Sequence, residues 1–148
     1  MKAVRGSNDI VALAAAPVSA AIFQLARTHK AYAAQLLRQL DLHPGQEILL
    51  MELSGVEHRT QGDLVSTLMV DHSTVAKSLR RLEDGGLVAR RPSPEDRRVV
   101  IVSLTDAGLA LVERVEAVWE QLERSTTDGL SPKQQALIVN LAALAERS

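Results

Sequence analysis

The sequence predicts a mainly α fold with a small β-hairpin wing: a winged helix-turn-helix carried between longer helices. Three observations predict it. Two helix-length apolar patterns, from Thr60 to Leu68 and from His72 to Asp84, are separated only by Met69-Val70-Asp71. The period then switches from 3.6 to 2 over two short segments, the second rich in β-branched residues, joined by a proline-containing turn. Long stretches with apolar seams flank this unit on both sides.

The elements follow in chain order. Lys2 and Arg5 precede the apolar run Ile10–Ala16, which imitates a secretory signal. The run is short and Ala-rich, and Gly6-Ser7-Asn8-Asp9 separates it from the charges, so it reads as a short N-terminal helix. No stretch approaches the roughly 20 apolar residues of a transmembrane helix. A cytoplasmic chain without a membrane segment is expected. Pro17 suits the first turn of a long helix. Val18, Ile22, Leu25, His29, Tyr32, Leu36 and Leu40 then recur at steps of four and three, a seam like that of a coiled coil. The helix would reach about Leu40, roughly 23 residues and about 35 Å at 1.5 Å per residue.

The second helix follows Leu42-His43-Pro44-Gly45, with Pro44 at its first position and Gln46 reaching back to the cap. Ile48, Leu49, Leu50, Met51 and Leu53 make it apolar, and Ser54-Gly55 ends it. Thr60 and Asp63 form a capping box for the third helix, whose apolar face is Leu64, Val65 and Leu68. Asp71 caps the fourth. Val75, Leu79 and Leu82 share its inner face, leaving Ser73, Thr74, Lys77, Ser78, Arg80 and Arg81 for the rest. Gly85-Gly86 stops it, one of the two in the left-handed conformation.

A strand over residues 87–91, a turn at Pro92-Ser93-Pro94-Glu95-Asp96 and a returning strand over 98–104 make the wing. Thr105-Asp106 caps a fifth helix to about Thr126, with Leu111, Val115, Val118 and Leu122 on its seam and Val112 and Trp119 alongside. Ser131-Pro132-Lys133-Gln134 is a capping box opening a last helix to about Glu146, with Leu137, Leu141 and Leu144 on its seam. The expected division is an N-terminal segment and first helix over 1–41, a winged helix-turn-helix over 42–104, and C-terminal helices over 105–148.

Composition narrows the function. In 148 residues, 46% hydrophobic, there is enough apolar side chain for a core. Cysteine is absent, which excludes disulfides, thiolate metal sites and thiol nucleophiles. Phe23, Tyr32 and Trp119 are the aromatic residues, too few for the base-stacking platform of single-strand binders. The formal charge of −1 conceals an asymmetry. Lys77, Arg80, Arg81, Arg90, Arg91, Arg97 and Arg98 face Glu83, Asp84, Glu95 and Asp96 within one stretch, a net +3, and the rest of the chain carries −4. Basic side chains displace counterions from phosphates. A basic stretch on a helix-turn-helix and its wing therefore predicts contact with double-stranded DNA.

Catalysis and metals find no support. His29, His43, His58 and His72 lack a His-x3-His spacing, although His43 and Glu47 could share a helix face. Asp71-His72-Ser73 has triad residue types, but consecutive helical side chains diverge. No Gly-rich phosphate loop or paired carboxylates occur. Neither an enzymatic activity nor a cofactor is expected.

The run Asp96-Arg97-Arg98-Val-Val-Ile-Val-Ser-Leu104-Thr105-Asp-Ala-Gly108 resembles the signature of the MarR family of winged-helix regulators. Ser73-Thr74-Val75 through Leu87-Val88 is similar to its recognition helix and exit, and Leu42–Gln46 to the start of its second helix. The resemblance covers most of the chain from about Val18. It implies an obligate homodimer with intertwined first, fifth and sixth helices. Such a dimer suits a palindromic operator, with recognition helices about 34 Å apart.

By the same resemblance Lys77 reaches base edges, favouring guanine. Ser73, Thr74, Ser78 and Arg81 contact phosphate or bases. Arg98 enters the minor groove, oriented by Asp96. Arg97 could exchange roles with Arg98, since neighbouring strand residues point to opposite faces. Arg90 and Arg91 touch phosphates or are solvated.

Members of the family often bind anionic aromatic ligands between the dimerisation helices and the winged domain. Tyr32, His43, Arg59 and Trp119 are the candidates here, with core packing as the plainer role for the rings. The histidine pair of zinc-sensing members is missing, and without cysteine so is thiol-based peroxide sensing. The implied function is a DNA-binding repressor released by a small molecule. The alternative is a winged-helix dimerisation module that binds proteins and not DNA.

Overall fold

The computed structural model describes residues 15–146. The short helix expected at Ile10–Ala16 therefore lies almost wholly outside the described residues. Helix α1 (Pro17–Leu37) starts on its proline and tightens into a 3-10 turn, Arg38–Leu40. Asp41, left-handed at φ 55°, ends it. Helix α2 (Gln46–Leu53) begins later than Pro44, because Gly45 at φ +101° is outside helical space. Gln46 nonetheless reaches back: its Oε1 accepts from the His43 backbone N–H at 2.9 Å. Glu47, buried beside it, accepts from the Gly45 N–H at 2.9 Å, and burial pushes its carboxyl above the ordinary range.

A strand that the sequence reading lacked comes next: β1 (Arg59–Thr60). Two residues are too short to display an alternating pattern. Helix α3 (Gln61–Leu68) follows, its Asp63 N–H bonded to Thr60 Oγ1 at 3.0 Å. Met69, left-handed at φ 52°, turns the chain into α4 (His72–Asp84). Gly86 at φ +74° is the left-handed stop residue. Strands β2 (Val88–Pro92) and β3 (Val100–Leu104) form the wing, and the antiparallel sheet runs β1-β3-β2. Helices α5 (Asp106–Thr127) and α6 (Pro132–Ala145) complete the chain, α6 with the full reciprocal capping box of Ser131 and Gln134. Among the described residues no helix is long and apolar enough to cross a membrane.

The strand-to-helix junction shows why the Leu-Thr-x-x-Gly run has its form. Thr105 Oγ1 donates to the Gly86 carbonyl at 2.6 Å and accepts from the Gly108 N–H at 3.1 Å. The Thr105 N–H donates to the Leu87 carbonyl at 3.1 Å. A Cβ on residue 108 would stand 2.0 Å from that same Leu87 oxygen, so only glycine fits.

One apolar cluster joins these elements. It takes in Leu36 and Leu37 of α1, Leu49, Leu50 and Leu53 of α2, Leu64 of α3, Val75, Leu79 and Leu82 of α4, and Val102 of β3. Val112, Val115, Val118 and Leu122 of α5 belong to it as well. The fifth-helix seam is thus spent within the chain, against the expectation that it stands apart from the winged core. The α6 seam is not, and the α1 seam is covered only in its second half, where Leu36 is buried and Tyr32 and Leu40 pack against the cluster. Val18 is 73% exposed, Ile22 and Leu25 are exposed, and α6 buries none of its residues, with Leu141 56% exposed. Burying a Leu or Ile side chain is worth about 1.5–3 kcal/mol, so these faces forgo a large stabilisation unless something covers them.

Candidate nucleic-acid interface

The site starts from the helix-turn-helix turn. Asp71 lies extended just before α4 and accepts from the Thr74 N–H at 2.8 Å, from Ser73 Oγ at 2.6 Å and from Thr74 Oγ1 at 3.0 Å. The Ser73 hydroxyl, then the Thr74 N–H and hydroxyl, hold its carboxyl down to about 2. Val75, Leu79 and Leu82 point into the core. Their i, i+4, i+7 spacing turns the opposite face of α4 outward. Ser73, Thr74, Lys77, Ser78 and Arg81 line one shallow cleft of about 270 Å³ on that face. The five α4 residues singled out from the sequence are therefore brought together.

The wing tip is a turn, and this corrects the placement of Arg98 at the start of the returning strand. β3 starts at Val100, and Ser93–Val99 is closed by Ser93 N–H to Val99 O at 2.8 Å and Val99 N–H to Asp96 O at 2.9 Å. Both arginines sit in the turn, so strand alternation does not apply to them. Asp96 Oδ1 accepts from the Arg98 backbone N–H at 3.1 Å and from its Nε at 3.2 Å, and Oδ2 accepts from Nη2 at 3.3 Å. The ion pair expected between them is present. Arg98 is 91% exposed even so, and its guanidinium holds the Asp96 carboxyl below the ordinary range. Arg97 is exposed beside it.

Arg90 behaves differently from the solvated or phosphate-bound residue expected of it. Its Nη2 pairs with Glu83 Oε1 at 3.0 Å, and its backbone N–H donates to Glu83 Oε2 at 3.2 Å. The side chain is 21% exposed, and its buried Nε has no partner. Register explains the tether. Arg90 stands opposite Val102 on β3, and Val102 stands opposite Arg59 on β1, so the three share one face of the sheet. That face packs on the helices. Arg90 reaches α4 through Glu83, and Arg59 reaches Glu52 of α2 and, at 2.7 Å, Thr67 Oγ1 of α3. Arg91, opposite Ile101, lies on the other face and is exposed.

The four ligand candidates are distributed over the molecule. Tyr32 bonds Ser125 Oγ at 3.1 Å and lines a groove with Leu25, Thr28 and His29. His43 lines a separate hollow that also includes Arg81 and Leu87. Arg59 is occupied by Glu52, and Trp119 is half-buried against the core. Another cavity, of about 490 Å³ and containing none of these four candidates, has walls that include Lys30, Ile48, Leu49, Val70, Thr74 and Ser78. It lies behind α4 and shares Thr74 and Ser78 with the outward cleft. Nothing in the spacing of Lys30 marks it, because the cavity arises where α1, α2 and α4 meet. Among the described residues no three His, Asp or Glu side chains converge as metal ligands.

An exposed helix bearing hydroxyls and cations, held beside an arginine-tipped wing, defines the winged-helix class of double-stranded DNA binders. Known proteins agree. Residues 40–99 match the family model described as MarR family. The transcriptional repressor IacR of Pseudomonas putida is 31% identical over 115 residues, 76% of this chain and 69% of IacR. The regulator PecS of Dickeya dadantii is 42% identical over 57% of this chain and 49% of its own length. The match spans 58% of the Bacillus subtilis regulator YdgJ. An E. coli MarR variant complexed with operator DNA superposes with a TM-score of 0.83 at 25% identity, over 92% of this chain and 98% of that one. Bordetella bronchiseptica BpsR, whose DNA binding 6-hydroxynicotinic acid regulates, gives 0.81 at 31% identity over 88% and 98%. The chain belongs to the MarR family of winged helix-turn-helix transcriptional regulators.

Proposed function

We propose that two copies of this chain form a cytoplasmic dimer that binds a palindromic operator and represses transcription until a small anionic aromatic ligand releases it. The gathering of Ser73, Thr74, Lys77, Ser78 and Arg81 on the outward face of α4 carries the reading. Lys77 donates to guanine in the major groove, and Arg98 enters the minor groove beside it. The uncovered apolar faces of α1 and α6 support the dimer. A protein-binding module without DNA function would leave the basic helix face and the paired wing unexplained.

Ligand release has a physical route. The apolar cavity behind α4 has Lys30 to neutralise an anion, and two of its wall residues, Thr74 and Ser78, also face the DNA cleft. A ligand there would shift the side chains that meet the operator. Gel shift with the chain's own upstream DNA, with and without 6-hydroxynicotinic acid and salicylate, tests both halves. Sequence-specific retardation lost in Lys77→Ala supports the DNA reading, and indifference to sequence sinks it. In sedimentation the wild type should run at about twice 16.0 kDa. Leu141→Asp should yield monomer or unfolded chain.

A further inference from the structure

Asp71 does more to α4 than cap it. Ser73 Oγ and Thr74 Oγ1 both bond its carboxylate, at 2.6 and 3.0 Å. An ionised carboxylate has no proton to give, so both hydroxyl protons lie in those bonds. Each hydroxyl keeps its lone pairs and has nothing left to donate. Phosphate oxygens only accept, as do guanine N7 and O6 and thymine O4. The donors in the major groove are the N4 amino group of cytosine and the N6 amino group of adenine. A helix N-terminus often seats a phosphate. Here the Asp71 carboxylate already holds the Thr74 N–H, at 2.8 Å, and repels a second anion. Ser73 and Thr74 are exposed, and both line the cleft that contains Lys77 and Arg81.

We propose that Asp71 fixes Ser73 and Thr74 as hydrogen-bond acceptors, so that the first turn of α4 selects a base with an exocyclic amino group, cytosine or adenine, and does not grip phosphate. This rests on the DNA-binding reading above and deepens it. Thr74 is the reading residue, Ser73 its neighbour, and Asp71 a positioning residue. Lys77, three residues on along the same face, is a donor only. The helix then presents acceptors at its tip and a donor one turn later, and this polarity orders the bases it accepts.

The test begins with duplexes selected from a random library by the wild-type dimer. In the recovered site each adenine is replaced in turn by purine and each cytosine by 2-pyrimidinone, which removes only the amino group. Each phosphate is separately replaced by methylphosphonate, which removes its charge. Loss of one amino group should weaken the wild type about three- to tenfold, the worth of one hydrogen bond, and leave Thr74→Val or Ser73→Ala unaffected. Asp71→Asn sharpens the test and retains a good cap. Its Oδ1 must still accept from the Thr74 N–H, which puts an NH2 group against Thr74 Oγ1 and frees the hydroxyl proton to turn outward. A preference for cytosine at that position should give way to thymine or guanine, and a preference for adenine should no longer depend on its N6 amino group, since adenine N7 can accept from the freed hydroxyl. The proposal is overturned if every amino-group effect persists in both hydroxyl variants, or if a methylphosphonate effect is the one that vanishes with Thr74→Val. Recovery of no preferred sequence at all would instead remove the DNA-binding reading, and the inference with it.

Discussion

The root and the tip of the wing each hold an arginine bonded to an acid, yet only one of the two is available to a ligand. At the root, Arg90 crosses from β2 to Glu83 at the end of α4 and is 21% exposed. At the tip, Arg98 bonds Asp96 within its own turn and is 91% exposed. Both belong to the same basic stretch and look alike in a charge count. Formal charge in a sequence is therefore not charge offered to DNA. The face of the sheet on which a residue lands decides, and Arg90 lands on the helix-packed face opposite Val102.

Damage at the root should show in stability. The largest effect belongs to Gly108→Ala, whose new Cβ meets the Leu87 carbonyl. Backbone cannot yield as a side-chain end can, so we expect a loss of about 3 kcal/mol in urea unfolding, the upper part of the overpacking range. Wild-type stability in this variant would mean that the root is not closely packed.

Arg98→Ala and Arg90→Ala separate the two regions directly. The tip variant should keep its melting temperature while its DNA affinity falls and the slope of log affinity against log salt drops by about one per subunit. The root variant should melt about 3 °C lower with its salt slope intact. An altered salt slope in Arg90→Ala would return that residue to the phosphate contacts.

Asp96→Asn is expected to act more weakly and against simple electrostatics. Removing a negative charge near DNA should tighten binding, but freeing Arg98 restores side-chain entropy that binding must then remove. DNA affinity should fall with Arg98 present and change little in the Arg98→Ala background. Tighter binding by the single variant would reduce the tip to a plain charged loop.

The smallest effect is a pH dependence at the root. The hydrogen bond from Arg90, aided by its charge, holds the Glu83 carboxyl below its usual 4.5. The folded chain thus takes up this proton at lower pH than the unfolded chain does. The stabilisation is complete above pH about 4.5 and is lost as pH falls through the lowered folded value. Urea midpoints measured from pH 7 downward should converge for wild type and Arg90→Ala in acid, and a constant gap would exclude the ion pair as the source.

Short-range features were legible in the sequence. Thr60 with Asp63, Asp71 with Thr74, Thr105 with Gly108 and Ser131 with Gln134 are caps spanning three residues, and each is present. Asp96 and Arg98, two apart, pair as expected. Over such spacings the local backbone alone brings the atoms within reach, so residue identity suffices. Other features needed the tertiary structure. β1 exists only because β3 pairs with it. Arg59 and Arg90 find Glu52 and Glu83 only through sheet register and the packing of α2 and α4 on one face. The seams make the same point. α5 and α6 carry similar leucine and valine repeats, but α5 buries its own in this chain and α6 leaves its own bare. Hydrophobic attraction has no direction. A seam therefore announces from sequence that it will be covered, and only the folded arrangement decides by what.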